Sequence, residues 1–200
     1  MKLEQAVAPS LEEFKSTCRA EFAFLVETHG FREVPGPPTQ FPNPFEVHFE
    51  RSGWRIIVEG QSYGFGADVV IRSPDGKSAY YWHLVPEDFR AKREGLGRGQ
   101  LGDVRYQALC VRTFGGPFLA GNWSGFSDLV RMQTAWIIQH RKEEESAQRE
   151  WKMRHAIQAA DDAFRSGRYE TVISELSRFE RSLPPSQLKK LEIARKRKRS

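Results

Sequence analysis

Only two cysteines, three methionines and five histidines occur among the 200 residues, which leaves little material for a disulfide framework or a thiolate metal centre. Cys18 and Cys110 each sit inside an apolar, helix-like run, where a reduced thiol packs as a small hydrophobe. The five histidines, His29, His48, His83, His140 and His155, fall at no spacing that metal ligation requires, with each other or with cysteine. Also missing are an apolar run long enough to span a bilayer and a basic, then apolar, leader in MKLEQAVAPSLEEF. These absences point to a reduced, cytoplasmic chain that needs neither metal nor cofactor. Its size suffices for a core without staples. Acid is scarce in one place: residues 189–200 hold seven Lys/Arg against one Glu, a local charge of +6. The formal total is +5, so everything before that tail sums to −1.

What is present reads as an α+β fold. Ser10-Leu-Glu-Glu13 is a capping box, and Leu11, Phe14, Cys18, Phe22 and Leu25 form an apolar stripe that predicts one helix to about His29, ended by Gly30. Prolines 35, 37, 38, 42 and 44 make a loop. The period then changes to two. Phe45, Val47 and Phe49 alternate with Glu46, His48 and Glu50, as an edge strand with His48 on its polar, solvent-facing side would. Ser52-Gly53 turns the chain into Trp54–Glu59; Ala67–Arg72 and Ser78–Val85 follow, the last two joined by Pro74-Asp75-Gly76. The expectation is an antiparallel meander of about four strands, with the fourth inside the sheet because both its faces are apolar. Four glycines between Gly95 and Gly102 precede a helix expected from Asp103 to about Phe114.

The boundary of this domain is placed at 123, with a helical extension over 124–200. A long helix from about Ser124 loses its large apolar residues between Gln139 and Glu150, a solvated connector. Residues 153–184 then carry small residues Ala156, Ala159, Ala160 and Ala163, the turn pair Gly167 and Tyr169, and a terminal Leu183-Pro184. This resembles a single tetratricopeptide-like helical hairpin, with Val172 and Ala156 departing from the family pattern and no second copy. A final helix is expected from Ser186. The N-terminal body, with Phe24-Leu25-Val26 and Gly30-Phe31, then the strands, then Phe118-Leu119-Ala120-Gly121-Asn122, resembles small bacterial α+β immunity proteins of polymorphic toxin systems over residues 14 to 130. That resemblance implies a fold and a protein partner, and no catalytic motif.

Chemical motifs fail on context. Gly97-Arg-Gly99-Gln-Leu-Gly102 matches a dinucleotide-binding glycine pattern, yet no buried strand precedes it and Asp103 stands where phosphate belongs. Glu46, Asp68 and Asp75-Gly-Lys77 invite comparison with metal-dependent nucleases, but the next strand reads Tyr81-Trp82-His83-Leu84 where an acid and a lysine are needed. Ser62, in Gly60-Gln-Ser-Tyr-Gly64, leads into a strand rather than a helix, unlike a nucleophile elbow. The reading is therefore a non-catalytic protein-binding or adaptor protein, with Tyr63, Phe65 and Trp123 as candidate interface aromatics. Its rival is a nucleic-acid-associated protein using Lys189, Lys190, Arg195, Lys196, Arg197, Lys198 and Arg199 as phosphate contacts.

Overall fold

The computed structural model describes residues 8–38, 43–61, 64–90 and 95–198. The fold is α+β, and the chain forms two compact units, residues 1–136 and 137–200. This division falls inside a helix rather than at the expected 123.

In the first unit the capping box forms as written. The Glu13 amide donates to Ser10 Oγ at 3.2 Å, and the Ser10 amide donates to Glu13 Oε2 at 2.8 Å. Ser10→Ala should therefore cost about 1 kcal/mol of stability, measurable by denaturant unfolding. The expected single helix is two: α1 (Leu11–Glu21) and α2 (Ala23–Glu27) are separated at Phe22, whose ring packs between Phe24 and Phe49. Gly30 takes the left-handed conformation foreseen for it, φ 69°.

Five antiparallel strands follow in meander order: β1 (Arg32–Val34), β2 (Glu46–Arg51), β3 (Trp54–Gln61), β4 (Gly66–Arg72) and β5 (Ser78–Tyr80). β1 is the additional strand, so β2 is not an edge. Ser52 and Gly53 both have positive φ, the mark of a tight type I′ hairpin whose twist matches its strands. β5 corrects the sequence reading twice. It lies at the sheet edge, and it ends at Tyr80, where the chain tightens into a 3₁₀ turn over Tyr81–Leu84. Because β5 pairs only with residues 70–72, the start of β4 lacks a second strand. Helix α4 (Gly99–Phe114) fills the gap: buried Gln100 donates to the Gly66 carbonyl, and Gln107 donates to the Ala67 carbonyl and to Asp68. α4 starts at Gly99, four residues before the expected Asp103, and Gly102 fits there because a Cβ would stand 2.5 Å from the Gly97 carbonyl oxygen.

One face of the sheet carries Val47, Phe49, Ile56, Val58, Val69 and Ile71 into a core shared with Phe14, Cys18, Phe22 and Leu25 of the N-terminal helices and Val104, Ala108 and Val111 of α4. Cys18 and Cys110 are buried and form no disulfide, and burial pushes the Cys18 thiol up to about 12, so Cys18 does not read as a nucleophile. A short helix α3 (Glu87–Arg90) precedes α4, and α5 (Gly116–Leu119) follows it.

The opposite face aligns Val34, His48, Ile57, Val70 and Tyr80 across all five strands. His48, expected at the surface, is 3% exposed. Gly36 closes over its ring so tightly that a Cβ would come within 3.1 Å of Nε2, which itself lies 2.8 Å from Glu46 Oε2. Burial outweighs the Glu46 contact and holds the imidazole below its ordinary range. A depressed histidine refuses, when folded, a proton that the unfolded chain accepts near pH 6.5, so stability is lost as pH falls through that value. Glu59 alongside is shifted upward by burial and acts with the opposite sign. The difference between wild type and His48→Gln isolates the histidine: the wild-type melting temperature should drop more between pH 7.5 and 5.5 than the variant's does.

The second unit is helical. It contains the later part of α6 (Phe126–Arg165), then α7 (Tyr169–Ser177) and α8 (Pro185–Lys198). Gly167, at φ 71°, ends α6 with paired bonds from its own amide to Phe164 and from the Arg168 amide to Ala163. Ala160, Ala163, Val172, Leu176, Leu183, Leu191 and Ala194 make a separate small core. Among the described residues no helix is long and apolar enough to cross a membrane.

Candidate functional site

A cleft of about 500 Å³ lies beside the β4–β5 turn in the first unit. Two tryptophans far apart in sequence meet in its wall. Trp54 opens β3, and Trp123 lies in the loop between α5 and α6; their rings stack in parallel, centroids 4.5 Å apart and planes within 2°. Phe126 abuts Trp54 edge-on at 4.9 Å, and Val130, one turn further along α6, extends the apolar surface.

Local chemistry explains why the loop arrives there. Arg51, at the end of β2, donates to the carbonyls of His29 and Leu119 at 2.9 and 2.8 Å, fixing the end of α5 against the sheet. Gly121 then reverses direction with φ 83°, and the Asn122 side chain accepts bonds from the Ser124 amide and hydroxyl, turning Trp123 inward. Phe31 and Phe118 hold the remaining edges of the Trp123 ring.

The rim is polar. Ser73, Asp75 and Lys77 come from the β4–β5 turn, and Ser124 and Ser127 from the start of α6. Asp75 accepts from the Ser73 hydroxyl and pairs with Lys77 at 2.9 Å, which holds its carboxyl down to about 2. Thus the cleft offers a flat aromatic wall, serine hydroxyl oxygens and one fixed carboxylate. Neither histidine nor cysteine is among its described lining residues. Such a surface suits recognition of an apolar or planar side chain with polar groups at its margin.

Of the three candidate interface aromatics, only Trp123 lies here. Phe65 is 77% exposed and sits where β3 and β4 are joined, at the far end of the sheet from Trp54. Tyr63 lies outside the described residues. Phe126 and the serines escaped selection because their meeting with the tryptophans depends on a contact between distant segments.

The basic tail is not the free handle that its composition suggests. Residues up to Lys198 continue α8, whose Leu191 and Ala194 are buried in the second core. Lys190 pairs with Asp161, and Arg195 grips Glu180 through two nitrogens at 2.7 and 2.8 Å. Lys198 pairs with Glu170, and Arg197 donates to the Tyr169 hydroxyl while lying over its ring. Lys196 also interacts within the chain, and Lys189 is exposed. Arg199 lies outside the described residues.

The nuclease-like acids are partly reunited. Glu46, Glu59 and Asp68 stand in one cross-strand row, while Asp75 is at the other end of β4. No group of three or more possible ligands among the described residues could hold a metal ion. Comparisons with protein-family models, curated proteins and solved structures return no match for this chain.

Proposed function

We propose that this chain is a non-catalytic protein-binding module that takes a side chain or loop of its partner into the cleft walled by Trp54 and Trp123. The stacked tryptophan pair beside an open, hydroxyl-rimmed hollow carries this reading, since partly accessible tryptophans at the edge of a pocket are the residues that dominate protein interfaces. The immunity-type pattern of residues 14 to 130 makes a toxin, or another component of a bacterial conflict system, the partner this reading names, acting in the cytoplasm. The nucleic-acid alternative draws less support, because Lys190, Arg195, Arg197 and Lys198 are engaged within their own unit.

Ser127 is exposed on the cleft rim, so Ser127→Trp should fill the hollow without disturbing the core. Affinity capture from the native host, with bound protein and nucleic acid scored separately, should lose its protein partner with Ser127→Trp and keep it with Phe65→Ala. Loss with Phe65→Ala alone would move the interface to the opposite end of the sheet. Recovery of nucleic acid, removed by charge reversal at Lys189 and Lys196, would favour the rival.

A further inference from the structure

Between Arg141 and Lys152 every residue of α6 is exposed, and Ile137 and Ile138 just before them are 41% and 51% exposed. A helix surrounded by water on all sides draws little stability from its own sequence. The order of charges in this stretch is unusual. His140, Arg141 and Lys142 are followed directly by Glu143, Glu144 and Glu145, three potential cations and then three anions. Inside the chain they are poorly used: Gln139 and His140 contact Glu143, whereas Arg141, Lys142, Glu144 and Glu145 make no ion pair among the described residues.

Ile137, Arg141, Glu144, Gln148 and Trp151 recur at alternating steps of four and three, the spacing of a helix–helix seam. We propose that this segment is a self-complementary interface through which two copies of the chain associate by antiparallel pairing of α6, centred on the bond between Lys142 and Glu143. In that arrangement Arg141 meets Glu144 of the second copy at the seam, and Ile137 packs on the aliphatic stem of Gln148. On the two flanks Lys142 reaches Glu145 and His140 reaches Glu143. Two-fold symmetry repeats each pair, so four Arg/Lys–Glu ion pairs and two His–Glu contacts surround the axis. A parallel pair would set Arg141 on Arg141 and Glu144 on Glu144, so the charge order itself selects the direction. Because the contacts are exposed and ionic, association is expected to be modest and to weaken with salt.

The test is sedimentation of the full chain at roughly 100 µM, where a micromolar dimer is well populated. Wild type should be dimeric at about 0.05 M salt and shift toward monomer at about 0.5 M. Arg141→Glu with Lys142→Glu should make an all-acidic segment, and Glu144→Arg with Glu145→Lys a basic one; each alone should dimerise at least about tenfold more weakly. Mixed together, the two variants should form a heterodimer, and all four changes in one chain should restore the homodimer. Regained association also shows that the variants are folded. Direction is read by cysteine pairing at the seam: Ile137→Cys in one chain should cross-link to Gln148→Cys in another, and Gln148→Cys should not cross-link to itself. A wild-type monomer at low salt, a dimer indifferent to the reversals, or Gln148→Cys self-linkage would each overturn the proposal.

Discussion

Trp123→Ala should weaken partner binding by at least about 30-fold, the consequence of losing about 2 kcal/mol from a central aromatic anchor. The substitution removes the ring that faces Trp54 and so opens the cleft wall rather than merely trimming it. Because Trp123 also touches Phe31 and Phe118, some fall in stability is expected with it. Binding therefore has to be measured by calorimetry well below the variant's melting temperature, beside Ser127→Trp, which blocks the same cleft while leaving both tryptophans in place. If the two variants bind as tightly as wild type, the cleft is not the interface. If only Trp123→Ala loses affinity, the loss comes from folding.

The second large effect concerns the core that holds this site. Phe22→Ala should lower stability by about 3–5 kcal/mol, read from denaturant or thermal unfolding, because the ring is fully buried and stacks with Phe24 and Phe49 at 5.9 and 6.1 Å. Its backbone marks the break between α1 and α2, so neighbouring segments have little freedom to collapse into the space. A cost near 1 kcal/mol would mean that the break relaxes, and that the ring is not the keystone of that corner.

Sequence alone exposed those parts of the fold whose causes are local. The Ser10 box, the Ser52-Gly53 hairpin, the Pro74-Asp75-Gly76 turn and the Gly167 helix end all rest on backbone chemistry within a few residues, and all are present. β1 went unread because Arg-Glu-Val is too short to show alternation and gains its strand character only by pairing with β2. The pattern Tyr80-Tyr-Trp-His-Leu-Val85 keeps a strand's alternation, yet the chain coils at Tyr81, whose hydroxyl donates to the Cys110 carbonyl of α4. His48 misled for a related reason: glutamates on either side advertise solvent, whereas its cover comes from Gly36. Composition misled at the tail, since counting charges does not show that Lys190, Arg195 and Lys198 have carboxylate partners one or two helices away. Of the cleft, Trp123 and the Asp75 turn on its rim were legible from local sequence, but not their meeting.

Amide hydrogen exchange of the full chain, free and with its captured partner, bears most directly on the cleft as the binding surface. Binding should slow exchange in two separated segments together, residues 73–77 of the β4–β5 turn and residues 123–130 at the start of α6, because both line the same hollow. Protection confined to the Phe65 end of the sheet or to α8, with residues 73–77 and 123–130 unchanged, would contradict it.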